Sequence, residues 1–257
     1  MILRSCTSVL AILTSFAFAS VAAAEPTKVT VRAASKDAKF IGSSIGGMRV
    51  TLTDTQTGEI LATGVTKGTT GDTKRLMNTP RQRGATLSDD KAAKFTATLN
   101  LDEPRLVKVT LFGPLTQKQS AVEVSATQWV VPGKHIDAGD AWTIEVPGMI
   151  VDVLSPPAHV KLKGAPQTIN LQANVMMMCG CPIEPGGIWD AGKFEVVALM
   201  TLDGKPLARL PLTYAGKESQ FGANFEAKEK GVYEATVYAY DAQNGNTGLD
   251  RASFVVE

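Results

Sequence analysis

Short stretches of alternating apolar and polar residues recur along this chain, and they constrain its fold more than any other feature. Successive side chains of a β-strand point to opposite faces, so this alternation is typical of strands that are buried on one side. Examples are Met48–Thr53, Leu106–Phe112, Thr168–Val175 and Gly231–Asp241. Turn signals such as Asp54–Gly58 separate the stretches, and no segment carries a sustained helical period with caps. The pattern predicts an all-β protein built from sandwiches.

Two consecutive prolines, Pro156 and Pro157, mark the predicted domain boundary. Proline breaks regular structure, and a proline pair makes a short, stiff linker. The 257 residues suffice for two domains of ordinary size. We predict a signal peptide at residues 1–24, an N-terminal β-sandwich domain at 25–154 and a C-terminal β-sandwich domain at 155–257. The sequence leaves open to which domain the strand around 149–153 belongs.

The first 24 residues have the pattern of a secretory signal peptide. Arg4 precedes an apolar stretch from Val9 to Ala19, and Ala22–Ala24 supplies the small residues that precede a cleavage site. No later segment approaches the length of apolar chain that spans a bilayer. We therefore expect an exported, soluble protein, periplasmic or secreted, with no integral membrane segment after cleavage.

The net charge and the absence of known catalytic and nucleotide-binding motifs argue against several classes of function. The chain has 26 Lys+Arg and 25 Asp+Glu, and loss of Arg4 with the signal peptide leaves no formal net charge. A neutral protein has no overall field that would attract nucleic acid or an anionic membrane. The sequence also lacks hydrolase, phosphate-loop and dinucleotide-binding motifs, and it has only 2 histidines. We expect a protein that is not an enzyme and that acts on a protein partner.

The segment Gly231–Asp241 resembles the sixth strand of bacterial immunoglobulin-like and fibronectin-like modules. In immunoglobulin-like domains a tyrosine near the start of this strand bonds back to the backbone, and Tyr233 stands at that position. Two residues later, where antibody domains have cysteine, this chain has Ala235, so the antibody disulfide is absent. The resemblance covers about the last 100 residues and implies two tandem β-sandwich domains, the second immunoglobulin-like.

The run Met176-Met177-Met178-Cys179-Gly180-Cys181 concentrates the sulfur of the mature chain. Thioether and thiolate sulfur are soft ligands that select Cu(I). Strand alternation predicts that Met177 and Cys179 face the core, that Met176 and Met178 face outward, and that both thiols lie at a strand end. We expect a copper site formed by Cys179, Cys181, Met176 and Met178, with Met177 and His159 as additional candidate ligands.

Three interpretations of this run stay open at the sequence level. The first is an exported copper carrier or accessory protein that delivers or holds a copper ion for a partner. The second is an immunoglobulin-like interaction module in which the sulfurs are incidental. The third is a thiol–disulfide redox protein in which Cys179 and Cys181 form a reducible disulfide. Two cysteines separated by one residue close too short a loop to staple a fold.

Overall fold

The computed structural model describes residues 23–257, and strands dominate them, as the alternation predicts. Short helical turns lie at Ser43–Ile45, Lys74–Asn78, Lys118–Ser120 and Ala191–Lys193. The strands are β1 (Glu25–Ser35), β2 (Arg49–Asp54), β3 (Ile60–Val65), β4 (Phe95–Leu101), β5 (Arg105–Gly113), β6 (Val122–Val130), β7 (Trp142–Val146), β8 (Met149–Ser155), β9 (Lys161–Leu162), β10 (Gln167–Met177), β11 (Phe194–Leu202), β12 (Lys205–Pro211), β13 (Thr213–Tyr214), β14 (Gln220–Ala227), β15 (Gly231–Asp241) and β16 (Thr247–Val256).

The N-terminal strands form two sheets around one apolar core. The first sheet has the order β4-β1-β7, and the second has the order β3-β2-β5-β6. The hairpin of β2 and β3 is antiparallel, whereas β1 and β7 run parallel. The inward residues of these strands are buried because the alternation places every second side chain between the sheets; examples are Val29, Val31, Val50, Leu52, Val107, Val109 and Leu111.

The C-terminal strands have immunoglobulin-like topology. One sheet has the order β13-β14-β10-β8 and the other has the order β12-β11-β15-β16-β9. The first order corresponds to strands D-E-B-A of an immunoglobulin sandwich, and β12-β11-β15-β16 of the second corresponds to strands C′-C-F-G. The short strand β9 pairs parallel with β16 at the edge of the second sheet. The fold-level prediction for the C-terminal part is therefore confirmed.

Tyr233 makes the hydrogen bond back to the backbone that the resemblance implies. Its side chain is 1% exposed, and its hydroxyl donates a hydrogen bond of 2.8 Å to the carbonyl oxygen of Glu229. The ring stacks on Phe254 at a centroid distance of 5.3 Å. This contact ties the start of β15 to β16 and to the preceding turn, so the aromatic core and the backbone bond support the same local conformation.

We expect Tyr233→Phe to lower the free energy of unfolding by about 1–2 kcal/mol, because the substitution removes two hydrogen bonds, one donated to the carbonyl of Glu229 and one accepted from its N–H. Urea unfolding measures the difference. Tyr240→Phe is the matched control, since Tyr240 is 37% exposed on the same strand. Equal losses of unfolding free energy in the two variants would mean that the bond between the Tyr233 hydroxyl and Glu229 does not stabilise the domain.

Strand β8 joins the C-terminal sheet. It pairs antiparallel with β10, and Val151 lies opposite Val175. The strand that the sequence left unassigned is thus the first strand of the immunoglobulin-like topology. The exact boundary between residues 154 and 155 stays a prediction, and so does the signal peptide, nearly all of which lies outside the described residues.

No helix within residues 23–257 is long and apolar enough to span a bilayer.

Candidate functional site at the domain junction

The methionine run lies where the two sandwiches meet, and its side chains are divided between them. Met177 and Cys179 belong to the core of the C-terminal sandwich, as the alternation predicts. Met178 is 1% exposed and belongs to the core of the N-terminal sandwich, and Met176 packs against that same core. The outward-facing methionines are therefore covered by the preceding domain, which accounts for apolar residues on the outer face of a strand.

Neighbouring residues complete this apolar contact. Ile150 of β8 lies opposite Met176 and is fully buried in the N-terminal core. The backbone of Gly148 leaves room for the Met178 methyl group, because a Cβ at that position would lie 2.5 Å from Cε of Met178. In return, Ala38 of the N-terminal half is buried in the C-terminal core. Each domain thus inserts side chains into the other.

The Cys-Gly-Cys segment forms a tight turn directly after β10. The N–H of Met177 donates to the carbonyl of Cys181 at 3.0 Å, and the N–H of Gly180 donates to the carbonyl of Met177 at 2.8 Å. Gly180 has φ of +73°, and a Cβ there would lie 2.7 Å from Cγ2 of Ile45 in the N-terminal domain. Glycine is required both by the left-handed backbone and by this close approach.

The two cysteines form a disulfide with each other. Cys179 is 1% exposed and Cys181 is 4% exposed, and both pack in the C-terminal core beside Trp189. The thiols lie at the strand end, as predicted. They do not open onto solvent, because both cysteines are buried and Ile45 of the N-terminal domain lies against Gly180.

In this state the predicted copper ligands do not form a common donor set. The cysteine sulfurs are bonded to each other, and Met176 and Met178 pack on the other domain's core. His159 is exposed, and its ring lies near Ser253 at the far strand β16. Residues 23–257 contain no cluster of three or more His, Cys, Asp or Glu side chains able to hold a metal ion. The oxidised turn does not fit the copper site that the sequence predicts.

Polar contacts beside the turn lock a short loop, Lys36–Lys39, between two loops of the C-terminal domain. Trp189 donates from Nε1 to the carbonyl of Asp37 at 3.0 Å. Asn246 donates from Nδ2 to the carbonyl of Lys36 at 3.1 Å, and Lys36 donates from Nζ to the carbonyl of Asn244 at 2.7 Å. The 241–246 segment is the hairpin that connects β15 to β16. The connection between β10 and β11, which contains Trp189, and the hairpin between β15 and β16 correspond to two of the loops at the antigen-binding end of antibody variable domains. In this protein they contact the N-terminal domain.

A cleft of about 870 Å³ opens beside this loop. This volume lies within the range of small-molecule sites. Its walls come from both domains, since Gln243 and Asn244 of the C-terminal domain line it together with N-terminal residues. The wall contains three basic residues, three acidic residues and an apolar floor: Lys36, Lys39 and Arg81; Asp37, Asp140 and Glu145; and Phe40, Leu76, Met77 and Leu87.

Ser35 is an unsatisfied polar group in the wall of this cleft. The residue is 3% exposed, and its Oγ has no hydrogen-bond partner within residues 23–257. An unpaired buried hydroxyl costs free energy, and native structures normally supply such a group with a protein, water or ligand partner. Ser35 therefore places a buried polar group just behind the surface of the cleft.

Asp140 supplies a fixed negative charge to the cleft. Burial by itself would raise its pKa, but the N–H groups of Leu87 and Ser88 donate to the carboxylate at 2.7 to 3.0 Å. With the field of Arg32, these bonds hold the pKa of Asp140 below its ordinary value. Arg32 itself is buried, and its guanidinium lies over the ring of Phe40. The carboxylate is ionised at neutral pH and serves to order the 87–88 backbone.

An acidic pair, Asp152 and Asp250, lies on strands β8 and β16. Asp152 of β8 is half-buried, and Asp250 of β16 accepts a hydrogen bond of 2.8 Å from the N–H of Val153. Burial and, second, the charge of Asp250 raise the pKa of Asp152 above its ordinary value.

We expect Asp152→Asn to stabilise the protein at neutral pH. A carboxyl whose folded pKa is raised costs no stability below its unfolded pKa, and the cost grows as pH rises to the folded pKa. The variant's free energy of unfolding should exceed that of the wild type by an amount that grows over this pH range and stays constant above it. Urea unfolding across a pH series measures it, with the exposed Asp137→Asn as control. A gain of equal size at acidic pH would show that charge is not the cause.

Sequence reasoning located the sulfur turn but missed the cleft. The residues Lys36–Phe40 and Asp140 belong to loops between strands, where sequence alternation gives no signal. The one available sign was the charged stretch Lys36-Asp37 directly after a buried strand.

Comparison with known proteins adds no family assignment. No family model matches the chain, and no curated protein matches it. Among solved structures, the fibronectin(III)-like modules of Clostridium thermocellum CbhA match over 93% of this chain and 92% of theirs, at 10% identity and a TM-score of 0.29. A DUF3823 family protein from Bacteroides uniformis matches over 90% and 100%, at 13% identity and a TM-score of 0.29.

An engineered protein matches over 50% of this chain at 16% identity and a TM-score of 0.32, and the matched region spans 24% of that protein. TM-scores this low carry no argument about function. The assignment of immunoglobulin-like topology rests on the strand order of this chain.

Proposed function

We propose that this chain is an exported, non-enzymatic binding protein whose ligand occupies the cleft at the domain junction. A cleft of about 870 Å³, whose wall combines charged and apolar residues of both domains, carries the proposal. The two domains interlock through Met178 and Ala38, so the cleft walls are held in place before a ligand arrives. A preformed site loses less conformational entropy on binding than a flexible one.

The wall chemistry favours an extended peptide segment of a partner protein. Lys36, Lys39 and Arg81 form no ion pair within residues 23–257. Nζ of Lys36 donates to the carbonyl of Asn244 and Nζ of Lys39 donates to Oγ1 of Thr73, and an ammonium group keeps two further donors for a carboxylate. Glu145 and Asp37 lie in the same wall and suit basic side chains, and the floor around Phe40 suits apolar ones. A peptide offers all three kinds of group along one chain.

Selection from a displayed library of random linear peptides tests this proposal. We expect the wild-type protein to enrich peptides that carry both charges, and the variant Lys39→Glu/Arg81→Glu to lose them by tenfold or more. Lys163→Glu/Lys205→Glu, on exposed residues away from the cleft, is the matched control for net charge. The proposal fails if no peptide is enriched, or if both variants retain the same peptides.

Copper carriage is our second proposal, and it requires that an external dithiol first reduce the disulfide, becoming a disulfide itself as Cys179 and Cys181 become thiols. Two thiolates on one turn then lie close enough to bind one Cu(I), with a neighbouring thioether as a further ligand. Anaerobic titration of the reduced protein with Cu(I) tests it. Stoichiometric binding that survives Cys179→Ser/Cys181→Ser would contradict this site.

The burial of the disulfide argues against thiol exchange as the function of the folded protein. Exchange requires a thiolate to reach one of the two sulfur atoms, and the cysteines are 1% and 4% exposed. We expect glutathione to reduce the bond slowly in the native protein and rapidly after unfolding in urea. Thiol counting after alkylation follows both reactions, and equally fast reduction in both states would restore the redox interpretation.

A further inference from the structure

Strand β6 is a long sheet edge that the rest of the described chain leaves unpaired. Its nine residues, Val122–Val130, hydrogen-bond to β5 on one side, and β6 ends the order β3-β2-β5-β6. Such an edge presents a row of backbone N–H and C=O groups that can pair with another strand.

Strand β6 is also longer than the edge strands β3, β4, β7 and β8, which have 6, 7, 5 and 7 residues. The remaining sheet edges carry features that discourage pairing. Strand β12 contains Pro206 and Pro211, which have no N–H to donate, together with Lys205 and Arg209. Strands β9 and β13 are two residues long. Strand β6 contains no proline and no basic residue, and Glu123 is its one charged side chain. It therefore lacks the prolines, basic side chains and short length that discourage an edge strand from pairing with another chain.

The exposure of its side chains shows that this edge is open. Val122, Val124 and Ala126 point toward the core yet are only half-buried, and Gln128 on the same face is exposed. On the other face, Trp129 is 55% exposed. A large exposed aromatic ring on an unprotected edge is a common feature of protein interfaces.

We propose that β6 pairs antiparallel with β6 of a second copy, which joins the two four-stranded sheets into one continuous sheet. A twofold axis through Ala126 places Val122 opposite Val130 of the second copy, and Ser125 opposite Thr127. Glu123 then faces Trp129 and not another carboxylate, so the register is free of like-charge contacts. Opposing valines and hydroxyl residues make the edge complementary to itself.

Charge-swapped variants test this pairing. Ser125 and Thr127 are both exposed, and they lie opposite each other in the dimer. Ser125→Lys/Thr127→Lys places lysine against lysine across the interface, and Ser125→Glu/Thr127→Glu places glutamate against glutamate. We expect sedimentation velocity to show a wild-type dimer that dissociates on dilution, and each double variant to be a monomer. An equimolar mixture of the two variants should form a heterodimer again.

Thr98→Lys/Asn100→Lys on the exposed face of β4 is the matched control and should leave the dimer intact. Three results would overturn the proposal: a wild-type protein that is monomeric over the whole dilution series, dimers in both β6 variants, or a mixture that stays monomeric. Circular dichroism of each variant establishes that it is folded. Peptide selection at the cleft is independent of all these outcomes.

Discussion

Met178→Ala should lower the free energy of unfolding by about 2–5 kcal/mol, as is usual when a fully buried methionine is truncated. The loss has a particular consequence here. Met178 is part of the chain of the C-terminal sandwich, but its side chain fills the core of the N-terminal one. A cavity at this point weakens the N-terminal core and the contact between the domains together. In scanning calorimetry, we expect one unfolding transition for the wild type and two for the variant.

Two further variants separate the role of the junction from that of core packing. Met178→Leu conserves volume and should cost less than about 1.5 kcal/mol. Met200→Ala removes an equally buried methionine from the C-terminal core away from the junction, so it should destabilise that core without separating the transitions. If Met200→Ala splits the transition and Met178→Ala does not, the coupling between the domains does not depend on Met178.

Gly180→Ala should destabilise the junction through two additive costs. The residue has φ of +73°, and an L-residue in that conformation costs about 1–2 kcal/mol. The added methyl group would also lie 2.7 Å from Cγ2 of Ile45, and overpacking of this kind typically costs about 1–3 kcal/mol. Urea unfolding measures the sum.

Gly58 provides a close control for this substitution. It has φ of +76° in the turn between β2 and β3, and no atom lies within 4 Å of the Cβ that alanine would add. Gly58→Ala should therefore show the backbone cost alone. The excess loss in Gly180→Ala should shrink when Ile45 is also changed to alanine, and a double-mutant cycle measures that coupling. Equal losses at positions 58 and 180 would mean that the turn moves away from Ile45 without cost.

The alternation of side chains made much of the fold predictable. It identified β10 as a strand with Ile169, Leu171, Ala173 and Val175 inward, and it continued correctly to Met177 and Cys179. Tyr233 was identified by its place at the start of a strand, and its hydroxyl bond to Glu229 is present. These features depend on residues close together in the chain, so local patterns carry them.

The same alternation placed Met176 and Met178 on the outer face of β10 but could not show what covers them. Thioether and thiolate sulfur are ligands that select Cu(I), so the sequence favours a copper site here but leaves open that the sulfurs are incidental. The cover is the core of the N-terminal domain, whose residues are spread along the chain from Val29 to Ile150. Contacts between distant segments leave no periodic signal in either segment. The cleft around Ser35 went unpredicted for the same reason, because its walls come from loops of both domains.

The run Met176–Cys181 shows most clearly which features the sequence determines and which depend on the tertiary structure. By itself the sequence determined that this is a strand end with sulfur on both faces, because strand geometry fixes the direction of each side chain. Only the tertiary structure decided that one face fills each core and that Cys179 and Cys181 are joined and buried. Burial depends on what packs against a surface, and here that surface is completed by another domain.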